Sequence, residues 1–126
     1  MAKILYFEND EALRRITKDF LSVHYNVEAY SSPDDFIFNT GRIWYKKLLD
    51  YDLVLTDIDM PGTNRLQFVR EFIVNTKINK PIIFLRGGNE EKRVKEAGIE
   101  EYIFLAKPVN PSELLKTIEE VLQQNK

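Results

Sequence analysis

Five short apolar runs, each containing β-branched or aromatic residues, are the feature that most constrains the fold of this 126-residue chain. Their apolar residues are continuous instead of alternating, which is typical of strands buried on both faces in a parallel sheet. The runs cover residues 4–7, 27–30, 53–56, 82–85 and 102–106. Because the chain has the usual length of one folding unit, we predict a single domain over residues 1–126.

Segments with the apolar spacing of helices lie between and after these runs. The stripes are Leu13, Ile16, Phe20 and Leu21, then Leu66, Val69, Phe72 and Ile73, and finally Leu114, Leu115, Ile118, Val121 and Leu122. A short further helix is predicted over residues 89–98. Strands that alternate with helices through right-handed crossovers predict an open α/β sheet with helices on both faces.

The helix after the second run has the clearest start signal. Ser32 is predicted to cap it and Pro33 to occupy its first position. Asn39 and Gly41 are weak points along its length, and they favour a break of this segment into two pieces.

Polar residues follow several of the predicted strands, where open α/β sheets bind their ligands. These residues are Glu8, Asn9, Asp10, Asp57, Asp59, Arg86 and Lys107. Carboxylates gathered in one crevice repel one another unless a cation shares the site, and Mg²⁺ prefers such oxygen ligands. An aspartate can attack phosphorus to form an acyl phosphate, so we interpret Asp57 as a nucleophile assisted by magnesium and Lys107.

Composition excludes several classes of function. The net charge of −2 and the pI near 5.5 give no electrostatic footprint for nucleic acid and no basic face for a membrane. The absence of cysteine excludes disulfides, thiolate metal sites and a thiol nucleophile. No apolar run has the length of a signal core or a membrane span. We therefore expect a cytoplasmic protein whose partners are proteins or small ions.

Four motifs, taken in order, carry a resemblance to a known family. Segments 4–10, 53–62, 81–85 and 106–108 read ILYFEND, LVLTDIDMPG, PIIFL and AKP. Together they resemble the receiver domain of bacterial two-component response regulators, of the chemotaxis-regulator type. The resemblance implies a doubly wound, flavodoxin-like (βα)5 fold with strand order 2-1-3-4-5. It also implies a signalling module and not an enzyme, with self-phosphorylation and autodephosphorylation at most.

The resemblance also implies roles for individual residues. Asp57 would accept a phosphoryl group from a sensor histidine kinase or a phosphotransfer protein, switching a surface that a downstream effector binds. Lys107 would contact the phosphoryl group. Mg²⁺ would be surrounded by Glu8, Asn9, Asp57 and the main-chain carbonyl of Asp59, with Asp10 as an additional acid. The charged face at residues 90–96 is a candidate surface for docking or homodimerisation.

Four departures from the family pattern accompany this resemblance. Asn9 stands in place of a second acid after the first strand, so magnesium affinity should be lower. Arg86 replaces the Ser or Thr that engages the phosphoryl group, and Phe104 lacks the hydroxyl of a tyrosine. An Asn64-Arg65 pair replaces the usual Asp-Gly. We take Arg86 and Phe104 as switch positions, and expect Arg86 near Asp57 or Asp59, where it would also contact a phosphoryl group.

Two alternatives stay open from the sequence. A degenerate receiver would bind partners without phosphorylation, with Arg86 paired to Asp57. An aspartyl phosphatase of the haloacid dehalogenase type would use Asp57-Ile58-Asp59 as its Asp-x-Asp motif. That class expects Thr where Pro61 stands, and its nucleophile follows the first strand instead of the third.

Overall fold

A computed structural model describes residues 1–57, 80–86 and 103–124 of the chain. Its five strands form one parallel sheet in the order β2-β1-β3-β4-β5, which confirms the predicted flavodoxin-like fold. The strands are β1 (Lys3–Phe7), β2 (Asn26–Tyr30), β3 (Leu53–Asp57), β4 (Ile82–Arg86) and β5 (Ile103–Ala106). Tyr102, the predicted first residue of the last strand, lies outside the described residues.

Helices and short 3₁₀ turns connect these strands. The described helices are α1 (Glu11–Ser22), α2 (Pro33–Thr40), α3 (Trp44–Lys47) and α4 (Pro111–Gln124), with 3₁₀ turns at Gly41–Ile43 and Leu48–Asp50. The predicted cap of α2 is confirmed, since Ser32 Oγ accepts a hydrogen bond from Asp35 N at 3.2 Å. The predicted break is also confirmed, because α2 ends at Gly41 with φ of +68°, a conformation that glycine adopts readily.

Two apolar layers cover the two faces of the sheet. One layer contains Leu5, Phe7, Phe36, Leu48, Tyr51, Val54, Ile82 and Phe84. The other contains Ile4, Tyr6, Leu21, Val27, Leu53, Leu55, Ile83, Leu85, Leu105, Leu114, Ile118 and Val121. Successive residues of β1 therefore enter opposite layers, because side chains alternate across a strand. This two-sided burial explains why the strand segments read as unbroken apolar runs.

The helical stripes differ in how well the structure buries them. The stripe of α4 packs as predicted, with Leu114, Ile118 and Val121 buried. In α1 only Leu21 is buried, while Leu13 is 39% exposed and Ile16 is 64% exposed. The N-terminal half of the α1 stripe therefore lies outside the core, although its spacing is that of a helix with one apolar face.

Two of the predicted helices lie outside the residues that the structure describes. The stripe of Leu66, Val69, Phe72 and Ile73 and the short helix at 89–98 both lie outside the described residues. Across the helices of residues 1–57 and 103–124, none combines the length and the apolar character that crossing a membrane requires.

Candidate functional site

Three strand ends bring two acids and one base together. Glu8 follows β1, Asp57 ends β3 and Lys107 follows β5. The side chain of Lys107 spans the end of β4, so that its Nζ atom donates to Glu8 Oε1 at 2.9 Å and also to Asp57 Oδ2. The structure therefore brings together three of the residues that the sequence proposed for the site.

The two carboxylates are buried and share the ammonium group of Lys107. Glu8 is 1% exposed and Asp57 is 5% exposed, while the Lys107 side chain is 24% exposed. Burial lowers the pKa of Lys107, but the hydrogen bonds that its ammonium donates to Asp57 and Glu8 outweigh this effect and raise the pKa above its ordinary value. Lys107 therefore stays charged at neutral pH, as buried carboxylates require of a partner.

The turn between β1 and α1 fixes Glu8 through its main chain. Glu8 N donates to Tyr30 O at 3.1 Å, and Arg14 Nη1 donates to Glu8 O at 2.8 Å. Glu8 Oε2 accepts from Asp10 N at 3.4 Å. Arg14 was not among the predicted site residues, although its place one turn into α1, four residues after the predicted acid Asp10, is a signal that it faces this turn.

Asp10, predicted as an additional acid of the site, acts locally as the cap of α1. Its Oδ1 atom accepts a hydrogen bond from Leu13 N at 3.0 Å. This bond satisfies one of the free N–H groups at the start of the helix. Asp10 and Asn9 are both exposed, so Glu8 is the buried acid that the β1 end contributes to the site.

The donor set fits a hard cation that keeps much of its water. Within residues 1–57, 80–86 and 103–124, no three Asp, Glu, His or Cys side chains are grouped closely enough to hold a metal by themselves. Mg²⁺ needs only one or two carboxylates besides waters and phosphate oxygens, and Glu8 and Asp57 supply two. The predicted ligand Asp59 lies outside the described residues.

The two predicted switch positions are described to different extents. Arg86 ends β4 with its main chain opposite Ala106, while its side chain lies outside the described part of the chain. Its pairing with Asp57 or Asp59 therefore stays a prediction. Phe104 is half-buried and packs on Phe84 with ring centres 5.6 Å apart. The Asn64-Arg65 pair and the charged face at 90–96 lie outside the described residues.

Comparison with known proteins places this geometry in a family. The protein-family model of the response regulator receiver domain matches residues 4–119 of the sequence. This chain belongs to the response regulator receiver domain family. Receiver domains of response regulators act in two-component signalling, where they interact with histidine kinases and effectors. They are generally non-catalytic modules, and the family uses Mg²⁺ for phosphorylation.

Curated relatives match the receiver domain along nearly its whole length. The transcriptional regulatory protein ResD of Bacillus subtilis is 30% identical, over 97% of this chain and 48% of ResD. The cell cycle transcriptional regulator CtrA of Caulobacter vibrioides is 34% identical, over 98% of this chain and 52% of CtrA. The chain thus spans about half the length of these relatives.

Solved structures agree with the fold of this receiver domain. A response regulator receiver domain from Clostridium thermocellum has a TM-score of 0.82 at 23% identity, covering 99% of this chain and 97% of that one. The chemotaxis protein CheY4 of Vibrio cholerae has a TM-score of 0.76 at 24% identity, covering 96% of this chain and 98% of that one. At these identities the likeness shows the fold alone.

Proposed function

We propose that this receiver is phosphorylated on Asp57 in the presence of Mg²⁺ and thereby switches a protein-interaction surface. The observation that carries the proposal is the buried Asp57 carboxylate at the end of β3, bound by the Lys107 ammonium beside Glu8. The proposed donor is the phosphohistidine of a sensor kinase or of a phosphotransfer protein. A downstream effector reads the switched surface, and Arg86 and Phe104 are the proposed switch residues.

In the proposed reaction, a carboxylate oxygen of Asp57 attacks the phosphorus atom of the donor. The new P–O bond forms as the P–N bond breaks, and the imidazole leaves with the electron pair of that bond. Lys107, which contacts Asp57 before the reaction, neutralises charge on the transferred phosphoryl group afterwards. Glu8 keeps the Lys107 ammonium at this position through the 2.9 Å hydrogen bond.

Four groups are proposed to hold Mg²⁺ at this edge of the sheet. Glu8 and Asp57 would supply carboxylate oxygens, Asn9 its amide oxygen, and Asp59 its main-chain carbonyl. The ion, when bound, neutralises charge on the phosphoryl oxygens. Asn9 is exposed and uncharged, so its contribution to affinity would be smaller than that of an acid.

The remaining proposals concern the setting of the domain. Homodimerisation through residues 90–96 is one of them, and a cytoplasmic location is another. The degenerate receiver stays the weaker alternative, because the described contacts of Asp57 include Lys107, the residue that a phosphoaccepting site needs. Because the chain belongs to the response regulator receiver domain family, we do not propose the phosphatase alternative.

Phosphorylation of Asp57 is tested by the intact mass of the protein after incubation with acetyl phosphate and magnesium. We expect the wild-type chain to gain one phosphoryl group and Asp57→Asn to gain none, because the amide is not a nucleophile for phosphorus. Asp50→Asn is the matched control, since it removes the same charge from an exposed position. An equal mass gain in Asp57→Asn and wild type would defeat the assignment.

Magnesium affinity is expected to rise in Asn9→Asp by about tenfold, because a carboxylate attracts a dication more strongly than an amide does. Titration calorimetry with magnesium chloride measures the change. Asn26→Asp carries the same substitution at the start of β2, at the end of the parallel strands that lies opposite the site. This variant should bind magnesium as the wild type does. Unchanged or weaker binding in Asn9→Asp would show that residue 9 is not at the metal.

A further inference from the structure

A cleft of about 480 Å³ opens between α1 and the segment that joins β5 to α4. Its lining includes the buried residues Tyr6, Leu85 and Leu114 and the exposed residues Leu13, Ile16 and Pro108. Nearly all of these side chains are apolar. Cavities that hold small molecules have volumes of about 300–1,000 Å³ and the same apolar character. The cleft therefore has the size and lining of a small-molecule site.

The outer edge of the cleft accounts for the exposed half of the α1 stripe. Leu13 and Ile16 carry the helical spacing of core residues, yet they remain 39% and 64% exposed. They lie on the cleft side of α1, where the lining also includes Pro108. An apolar molecule in the cleft would remove this surface from water, which is favourable in proportion to the area covered.

The hydroxyl group of Tyr6 is an independent sign of a missing partner. Tyr6 is fully buried, and its Oη atom makes no hydrogen bond to any residue in the described part of the chain. Burial raises the pKa of the Tyr6 phenol, and the nearby Thr17 side chain lowers it. Buried polar atoms are normally paired, so an acceptor at this position would remove an energetic penalty.

Charges around the cleft decide between a neutral and an anionic ligand. Glu8 and Asp57 act on Tyr6 as negative charges, and Arg14 acts on it as a positive charge but does not line the cleft. Lys107, which does line the cleft, is already bound to both carboxylates. An anionic ligand would therefore meet repulsion from the two acids without a free cation in the described lining. A neutral oxygen acceptor avoids this repulsion.

We propose that the cleft binds a small, neutral, apolar molecule with one carbonyl-type oxygen that accepts a hydrogen bond from Tyr6 Oη. In the complex, the Thr17 side chain turns aside and the apolar part of the molecule covers Leu13 and Ile16. The ligand would also contact Lys107 and Pro108. Because Lys107 binds Asp57, ligand binding would change the surroundings of the phosphoacceptor residue. The binding itself does not depend on phosphorylation of Asp57.

Acetophenone and ethylbenzene are matched probes, because the first carries a carbonyl group where the second carries a methylene. Each is titrated against the ¹⁵N-labelled protein of residues 1–126, and amide chemical shifts are followed. We expect saturable shifts around residues 6–20 and 107–114, with acetophenone binding more tightly. In Tyr6→Phe the affinity for acetophenone should fall about fivefold, while that for ethylbenzene stays the same.

Two further variants keep the result interpretable. Tyr25→Phe removes a hydroxyl outside the cleft lining and should leave both affinities unchanged. Ile16→Asp changes an exposed side chain at the cleft edge and should weaken both probes. Absence of saturable shifts would overturn the proposal. Equal affinities of the two probes in the wild type would overturn it too, leaving the cleft as an apolar contact for a protein segment.

Discussion

Lys107→Met is expected to lower the free energy of unfolding by about 2–3 kcal/mol at neutral pH. The substitution keeps an unbranched side chain but leaves the buried Glu8 and Asp57 carboxylates next to each other without their ammonium partner. Breaking a fully buried ion pair costs about 3–5 kcal/mol, and the 24% exposure of the Lys107 side chain reduces the expected value. Urea unfolding followed by circular dichroism measures the change.

Two further variants separate the loss of the ion pair from the loss of the lysine stem. Lys116→Met removes a positive charge from the exposed side of α4 and should alter stability by less than about 0.5 kcal/mol. The double variant Lys107→Met/Asp57→Asn removes one of the two carboxylates that Lys107 binds and should regain part of the lost stability. If Lys107→Met is as stable as Lys116→Met, the shared ion pair does not stabilise the domain.

Alkaline pH is expected to destabilise the receiver steeply from about pH 10 upward, because Tyr51, Tyr6 and Lys107 hold their protons more tightly when folded. Burial and a hydrogen bond to Glu28 raise the pKa of Tyr51 from 10.0, and burial raises that of Tyr6. The Lys107 pKa rises from 10.5, since the hydrogen bonds that Lys107 donates to Asp57 and Glu8 outweigh the effect of burial. Stability from these groups is complete below the unfolded-state pKa values and is lost as pH rises above them.

Urea unfolding at pH 7, 9, 10 and 11 measures this dependence. Tyr51→Phe should lose some stability at pH 7, because the hydroxyl bond to Glu28 is gone, but it should decline less steeply above pH 10. Tyr45→Phe makes the same chemical change on an exposed ring and should follow the wild-type curve. A stability that stays constant between pH 9 and 11 would contradict the proposed contribution of these groups.

The fold was predictable because its signals are local or repeat along the chain. Continuous apolar runs indicated strands buried on two faces, and Ser32 and Gly41 marked where α2 begins and ends. The approach of Glu8, Asp57 and Lys107 followed from parallel strands, whose carboxyl ends lie at one edge of the sheet. The strand order itself came from the family resemblance and not from these patterns.

Other features depend on contacts that spacing does not specify. Helical periodicity shows that Leu13 and Ile16 share a face of α1, but it does not show whether a neighbour covers that face. Asp10 has the same carboxylate as Glu8, yet a hydrogen bond to Leu13 N commits it to capping. The bond from Arg14 to the main chain of Glu8 likewise depends on the exact path of the turn.

The contact between Glu8 and Lys107 joins residues 99 positions apart in the chain. During synthesis, a ribosome must therefore release almost the entire domain before the ammonium group can reach the first acid. A partly synthesised chain that has formed only β1, β2 and β3 does not yet contain Lys107. Under the proposed function, an unfinished receiver would therefore lack the ammonium group that contacts the transferred phosphoryl group.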